Sequence, residues 1–203
     1  MAHNFVEIVI FVDYRPVVAN TGNAPIHAFS PVQQLSLFFI FVYMMEIRKA
    51  TAADAEEVWD IIKNVIATGD TYVFAPDSSK EKMLGYWYEQ DKHVYVALLD
   101  GKVAGTFVIK DNQPDLGSHI ANAAFMTSAR ASGKGIGRMM GEFSLEEAKR
   151  LGYSAMQFNF VIKSNTRAVA LWEKLGFGII GEIPEAFNKR GELVNAYIMY
   201  KKL

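Results

Sequence analysis

The sequence predicts a mixed α/β sheet, because strand-like runs and helical patterns alternate along most of the chain. Two apolar runs, at 93–99 and 102–110, are separated by Asp100-Gly101, a dipeptide typical of a two-residue β-hairpin. Beyond residue 118, strand patterns alternate with helical ones. The chain has 203 residues and is 51% hydrophobic, enough for one domain of ordinary size with a large core.

The first half of the predicted domain begins with a short strand at 45–48. Thr51 and Asp54 follow as an N-cap pair for a helix of apolar residues at helical spacing. A loop at 71–78 separates this helix from a second one at 79–89. We expect the aromatic residues of the second helix in the core, and the loop is the better candidate for contacting a substrate.

The second half alternates strands and helices after a polar turn. Gly152 and Gly176 follow the two helical patterns as C-terminal stop signals, and Ser164 is the expected cap of the second one. The predicted elements are a strand at 118–128, a helix at 136–151, a strand at 155–161, a short helix from 164 to 175, and strands at 177–183 and 193–200.

Residues 1–44 differ in composition from the rest, with three charged side chains and no Lys. Their apolar run at 37–45 is far shorter than the roughly 20 residues of a spanning helix. No basic region precedes it and no small-residue cleavage site follows, which argues against a signal peptide. We expect a poorly specified extension ahead of a domain at 45–203. The alternative is a segment that covers a sheet edge or makes a homodimer contact.

The composition excludes several functional classes. With no Cys in the chain, there is no disulfide scaffold, thiolate metal site or Cys nucleophile, and we predict no metal. The net charge of −1 gives no basic excess for nucleic acid, and no membrane partner is expected. The absence of Cys fits a reducing compartment, so we expect a cytoplasmic protein.

A glycine-rich stretch, Ser132-Gly133-Lys134-Gly135-Ile136-Gly137-Arg138, lies between a predicted strand and a predicted helix. Glycines allow a tight turn and a close approach of the backbone to a ligand. The first N–H groups of the helix then face that ligand, and the helix dipole favours negative charge. The stretch therefore predicts a phosphate or pyrophosphate site.

The common phosphate fingerprints do not match this stretch. G-x-x-x-x-G-K-[ST] is absent, which excludes a P-loop NTPase. G-x-G-x-x-G fails as well, because its last position falls on Arg138 or Met140. The stretch also opens the second half of the chain rather than following the first strand, unlike a Rossmann unit.

A second pattern downstream narrows the prediction. Asn165-x-x-Ala168, followed by Gly176-Phe177, resembles the GCN5-related N-acetyltransferase (GNAT) superfamily when it is combined with the loop Ser132-x-x-Gly135-x-Gly137. The resemblance covers about residues 45–203. It implies a central sheet of about six to seven strands, splayed at its fourth and fifth strands, with about four helices. It also implies acetyl-CoA as the cofactor.

Two positions depart from the superfamily pattern. Ser132 stands where members have Gln or Arg, and Arg130 is a candidate to supply that charge. Trp172 stands where many members have a Tyr that protonates the leaving CoA thiolate, and an indole has no such proton to give. The resemblance implies cofactor contacts from Phe125, Met126, Thr127, Arg130, Ser132, Gly133, Lys134, Gly135, Ile136, Gly137, Arg138, Asn165 and Trp172.

Two stretches, 118–128 and 160–165, look like the corresponding strands of fungal proline-analogue (azetidine-2-carboxylate) N-acetyltransferases, which also have Trp in place of Tyr. Those enzymes use one Asn on each splayed strand, here Asn122 and Asn165 by match. The opening at 47–74 is similar to that of phosphinothricin acetyltransferases. Both groups acetylate the amino group of a small amino acid-like molecule, which is the function that the resemblance implies here.

Each candidate residue also has a purely structural interpretation. Asn122 is unusual in an apolar strand and could bond to backbone at a bulge instead of holding substrate. Asn165 could simply cap the following helix. His119 is a candidate general base, although alternation places it on the face opposite Asn122. Lys134 and Arg138 are either phosphate contacts or solvated surface charges.

The expected reaction is direct acetyl transfer in a ternary complex. A backbone N–H near 125–127 would stabilise the oxyanion, and Asn122 and Asn165 would position the amine. No carboxylate lies on the strand at 118–128, so deprotonation would use water or His119. The alternatives are an acetyltransferase of a protein N-terminus, a polyamine or an aminoglycoside, and a non-catalytic acyl-CoA binding module.

Overall fold

The computed structural model describes residues 5–11 and 41–203. It confirms the predicted fold class, a mixed sheet with four α-helices. The elements are β1 Phe5–Phe11, β2 Phe41–Lys49, α1 Ala55–Ala67, α2 Lys80–Trp87, β3 His93–Leu99, β4 Lys102–Asp111, β5 Ile120–Thr127, α3 Ile136–Arg150, β6 Ala155–Ile162, α4 Thr166–Lys174, β7 Gly178–Lys189 and β8 Glu192–Lys202.

The strands form one sheet in the order β1-β2-β3-β4-β5-β6-β8-β7. All neighbours are antiparallel except β5 and β6, which are parallel. Helices α1 and α2 pack on one face of the sheet, whereas α3 and α4 pack on the other. Each face buries its own apolar cluster, so alternate residues of a central strand serve different cores.

Gly141 in α3 brings α3 and α4 together on their shared face. A Cβ atom at this position would lie 2.5 Å from Leu175 Cδ1 and 3.2 Å from the ring of Trp172. The absence of a side chain therefore fixes how closely α4 approaches α3 and where Trp172 sits.

The N-terminal part of the chain contributes β1, which pairs antiparallel with β2 from Phe5 opposite Ile47 to Phe11 opposite Phe41. The sheet thus has eight strands, seven of them within 41–203. Strand β2 starts before the predicted residue 45, because its first residues pair with β1. The rest of the predicted extension, 1–4 and 12–40, lies outside the described residues, so the division at residue 45 stays a prediction. No helix in the described ranges has the length and apolarity needed to cross a bilayer.

The feature that shapes the site is the splay between β5 and β6. Their parallel pairing covers only two positions, Ile120 with Ala155 and Ala121 with Met156. Beyond these positions the strands diverge, and β6 has an irregularity between Phe158 and Val161 in its pairing with β8. Diverging parallel strands leave backbone groups unpaired, and these groups are then available to a ligand.

Asp54 joins β2 to the start of α1. Its carboxylate accepts two hydrogen bonds from the Arg48 guanidinium, at 2.8 and 2.7 Å, and one from the Thr51 N–H at 2.7 Å. The side chain is 7% exposed. The Arg48 hydrogen bonds lower the pKa of Asp54 from 3.8 to about 2. This confirms the Thr51–Asp54 pair predicted as the helix start.

We expect Asp54→Asn to lower the free energy of unfolding by about 2 kcal/mol at neutral pH. Because the folded-state pKa lies below that of the unfolded chain, the stabilisation is present above about pH 4 and is lost as pH falls towards 2. Urea unfolding of both proteins at pH 7 and pH 3 measures the effect, and the difference should shrink at pH 3. Asp60→Asn, at an exposed position of α1, is the control.

Candidate functional site

A cleft of about 760 Å³ opens where β5 and β6 diverge. It is bounded by the α1–α2 loop on one side, by the two splayed strands, and by the first turn of α3 together with α4. Predicted site residues among its lining are Asn122, Phe125, Met126, Thr127, Gly137, Asn165 and Trp172. The structure thus brings together Gly137 of the glycine-rich stretch and Asn165 of the downstream pattern, which are 28 positions apart in the sequence.

The open edge of β5 presents backbone groups to this cleft. Asn112 N–H donates to Ile120 O and Ser128 N–H donates to Ala104 O, both at 2.8 Å, so even-numbered residues of β5 pair with β4. In an antiparallel ladder, the N–H and C=O groups of the intervening residues face the other way. The backbone groups of Phe125 and Thr127 therefore face the splay, as the predicted oxyanion role requires.

The glycine loop has the backbone conformation that an anion cradle needs, and its binding role stays a prediction. Gly133 and Gly135 have φ values of +74° and +78°, a conformation that residues with a Cβ rarely adopt. Gly135 is also the N-cap of the 15-residue helix α3, and glycine has no side-chain oxygen to occupy the first N–H groups. The N–H groups of Ile136 and Gly137 are thus oriented for a negatively charged ligand, together with the positive end of the helix dipole.

The cationic residues around the loop have different environments. Arg138 donates to Glu142 at 2.8 Å, one turn along α3. Arg130 is directed away from the loop: its guanidinium donates to the Val103 carbonyl and lies 4.0 Å from Glu57 of α1. Arg130 therefore joins the loop to β4 and α1. These contacts argue against the prediction that Arg130 supplies the positive charge that is missing at Ser132.

Asn122 connects the two strands just beyond their last paired residues. Its Nδ2 donates to the Gln157 carbonyl of β6 at 2.8 Å. The structural interpretation, in which Asn122 bonds to backbone, is thus correct for one of its N–H groups. The bond crosses the gap between β5 and β6 and does not close a bulge. A side-chain amide has a second N–H and an oxygen. These remain for a ligand in the cleft.

Asn165 is both the helix cap and a lining residue. Its Oδ1 accepts from the Ala168 N–H at 3.3 Å, and it is the N-cap of α4 where Ser164 was predicted. Because the oxygen caps the helix, the amide N–H groups are what Asn165 can offer to a ligand. The sequence could not separate these positions, since Ser and Asn are both favoured caps.

Trp172 completes an aromatic cluster at the base of the cleft. Its ring centroid lies 4.9 Å from that of Phe125 and 4.6 Å from that of Phe158. The residue is 8% exposed, so its indole is mainly a packing element. It holds α4 against the strand that presents the Phe125 backbone.

The structure does not bring His119 into the cleft. The residue is exposed and precedes β5, and its ring Nδ1 is 3.2 Å from the Leu116 carbonyl. Odd-numbered side chains of β5 face α3 and α4, whereas Ala124 and Met126 face α1 and α2. The period-two alternation thus separates His119 from Asn122, which argues against His119 as the general base.

The α1–α2 loop supplies five consecutive lining residues, Asp70, Thr71, Tyr72, Val73 and Phe74. The last four lie in the segment 71–78 that the sequence predicts as a candidate for contacting substrate, and Asp70 lies just before it. Tyr72 donates from its hydroxyl to the Phe125 carbonyl at 2.8 Å. Asp70 lies within 4 Å of two cations, with Oδ1 3.9 Å from Lys189 and Oδ2 3.7 Å from Arg190. No spacing rule relates this loop to β5 or to the β7–β8 hairpin, so only the folded chain could identify these contacts.

Comparison with known proteins is consistent with this geometry. The model of the acetyltransferase (GNAT) family matches residues 59–177. N-acetyltransferase aca1 of Schizosaccharomyces pombe is 39% identical over 106 residues, which cover 50% of this chain and 51% of that protein. The chain therefore spans only about half the length of this curated relative.

Solved structures show the same architecture. A GCN5-related N-acetyltransferase from Kribbella flavida superposes with a TM-score of 0.75 and 34% identity, covering 78% of this chain and 98% of that one. A phosphinothricin acetyltransferase from Sinorhizobium meliloti, in complex with acetyl-CoA, has a TM-score of 0.70 and 22% identity, covering 77% of this chain and 87% of that one. The second likeness concerns the fold alone.

Proposed function

Because this chain belongs to the acetyltransferase (GNAT) family, with acetyl-CoA as its cofactor, we propose that it acetylates the amine of a small amino acid-like molecule. The observation that carries the proposal is the cleft at the splay. One continuous space is lined by Asn122, the Phe125 backbone and Asn165, and it leads to the first turn of α3 at Gly137. Cofactor and acceptor would therefore meet between β5 and β6.

The glycine loop fits a pyrophosphate. Gly133 and Gly135 give the loop its left-handed turns, and a Cβ at Gly133 would meet open space, so the backbone is accessible there. The N–H groups of Ile136 and Gly137 would bind the phosphate oxygens at the positive end of α3. Lys134 and Arg138 lie in the same segment and would add positive charge.

Acetyl-CoA supplies the activated acetyl group as a thioester. The Phe125 N–H faces the splay, where it would donate to the oxygen that becomes negative in the tetrahedral transition state. Asn122 and Asn165 would orient the amine, because amides hydrogen-bond without exchanging protons near neutral pH. Trp172 cannot protonate the leaving thiolate, so solvent would supply that proton. Solvent would also accept the proton that the amine loses.

The size of the cleft favours a small acceptor. Its volume of about 760 Å³ must hold both the arm of the cofactor and the acceptor. Sites for drug-sized ligands span roughly 300–1,000 Å³, so little space remains for the second ligand. The polar side chains beside the Phe125 N–H, Asn122 and Asn165, are neutral amides, whereas the charged lining residues Asp70 and Arg167 belong to the α1–α2 loop and α4. Neutral groups at this point suit an uncharged amine as the attacking group.

The test is acetyl-CoA turnover with a panel of acceptors, measured as the release of free CoA thiol. The panel contains azetidine-2-carboxylate and other proline analogues, methionine sulfone, phosphinothricin, a polyamine, an aminoglycoside and a peptide N-terminus. We expect turnover with at least one amino acid-like compound and a much lower kcat/KM for the last three. Preference for one of those three would overturn the proposed acceptor, and binding of acetyl-CoA without turnover on any compound would favour a binding module.

A further inference from the structure

Tyr72 links the α1–α2 loop to the strand at the reaction centre. Its hydroxyl donates to the Phe125 carbonyl at 2.8 Å, across 53 positions of sequence. The ring stacks on Phe74 with a centroid distance of 6.2 Å, and Phe74 packs edge-on against Tyr86 at 5.0 Å. The loop is therefore joined to β5 by one polar bond and to α2 by these aromatic contacts.

The direction of this bond determines what the hydroxyl can still do. A phenol has one O–H to donate and lone pairs to accept. Burial raises the pKa of Tyr72 well above its ordinary value, so the hydroxyl stays protonated and keeps donating its hydrogen bond to Phe125 O. Tyr72 lines the cleft, and with its hydrogen in use the hydroxyl can offer a ligand only the lone pairs of its oxygen. Their partner must be a hydrogen-bond donor.

The position of the hydroxyl places it next to the proposed oxyanion group. The C=O and the N–H of Phe125 both face the splay, because they belong to one odd-numbered residue of β5. The Tyr72 hydroxyl is hydrogen-bonded to the C=O of Phe125 and therefore lies close to the N–H of the same residue. An amine that attacks a carbonyl held by the Phe125 N–H would approach through the space beside Tyr72.

We propose that Tyr72 is an acceptor-binding residue, whose hydroxyl accepts a hydrogen bond from the amine and aims the nitrogen lone pair at the thioester carbonyl. This inference rests on the proposed function. Tyr72 thus favours a hydrogen-bond donor at this place, and a neutral amine offers one N–H to the phenol oxygen while its lone pair stays available for attack. A carboxylate or carbonyl at the same place would meet only the lone pairs of the phenol.

Other tyrosines do not fit this role. Tyr153 donates to Asp111 Oδ1 at 2.7 Å, and Tyr197 lies under the Lys163 ammonium at 5.3 Å, and neither lines the cleft. Tyr86 does line the cleft, but it is 38% exposed, and the Lys92 ammonium lies 3.3 Å from its ring centroid. Tyr153 therefore provides a control outside the cleft, because Tyr153→Phe also removes one hydrogen-bonded hydroxyl.

The test compares Tyr72→Phe with Tyr153→Phe in the full chain. Phenylalanine at position 72 keeps the ring on Phe74 and removes only the hydroxyl. We expect Tyr72→Phe to lower kcat/KM for the acceptor about 3- to 10-fold, the usual worth of one hydrogen bond. The Kd for acetyl-CoA and the acceptor-free hydrolysis of acetyl-CoA should stay within about twofold of wild type. Tyr153→Phe should change none of these quantities.

A second readout separates contact with the amine from a loss of loop packing. A hydrogen bond to the amine is common to all acceptors. The fold-decrease in kcat/KM caused by Tyr72→Phe should therefore be equal for a small acceptor such as azetidine-2-carboxylate and a bulkier one such as phosphinothricin. A factor that grows with acceptor size, or an unchanged kcat/KM in Tyr72→Phe, would overturn the inference. Lack of turnover by the wild-type protein on every acceptor would instead refute the proposed function.

Discussion

Gly135→Val is expected to weaken acetyl-CoA binding about 10- to 100-fold, because a β-branched residue cannot adopt the native turn without strain of about 1–3 kcal/mol. Gly135 has a φ of +78° and is the N-cap of α3. If valine forces φ to a negative value, the N–H groups of the next residues no longer converge on the pyrophosphate. Isothermal titration with acetyl-CoA measures the loss.

Gly101→Val is the matched control for backbone strain. Gly101 has a φ of +74° in the β3–β4 hairpin, and a Cβ there would meet no atom within 4 Å. Both variants should lose a similar amount of thermal stability, but only Gly135→Val should lose acetyl-CoA binding. An equal loss of binding in both variants would show that general destabilisation, and not the cradle, is responsible.

Asn122→Ala is the second change with a large expected effect. It removes the amide at the splay, and we expect kcat/KM for an amino acid-like acceptor to fall about 10- to 100-fold. Acetyl-CoA binding should be unchanged within about twofold, because the cradle lies beyond the C-terminal end of β5. Steady-state kinetics with varied acceptor, together with a separate titration of the cofactor, distinguish the two effects.

Asn112→Ala controls for the structural role of an inter-strand amide. Asn159 donates to Asn112 Oδ1 at 2.7 Å, and Asn112 does not line the cleft, so this variant also loses a side-chain bond near the splay. We expect it to leave the kinetics nearly unaltered. The assignment of Asn122 to the acceptor fails if its variant keeps the wild-type kcat/KM, or if Asn112→Ala loses just as much.

The fold was largely predictable because its signals are local. Asp100-Gly101 marked the β3–β4 hairpin, and both residues have positive φ values of 52° and 74°. Apolar spacing and glycine stops located the helices, and the predicted boundaries of α3 and β3 agree with the structure within about a residue. Strand β7 continues to Lys189, beyond the predicted end, because it pairs with β8 across irregularities that no periodicity reveals.

The site was predictable only in part. The glycine turn matches the sequence pattern, because a positive φ and a helix N-terminus depend on a few neighbouring residues. The splay was implied only by the resemblance to the superfamily. The roles of Arg130 and Asn165 were less accessible, since each has a competing partner elsewhere in the fold, Val103 for the first and Ala168 N–H for the second. A polar side chain can reach several partners, and the fold determines which of them is within hydrogen-bond distance.

The sequence by itself determined the sheet-and-helix order, the left-handed glycine turn and the start of α3 directly after it, because each depends on backbone preferences within a few residues. Only the tertiary structure decided that β5 and β6 part after two pairs, that Asn122 spans the gap to Gln157, and that Tyr72 reaches Phe125 O. These contacts join residues up to 53 positions apart, so they follow from packing two cores around one sheet. Local preference cannot determine which distant side chain fills an open strand edge.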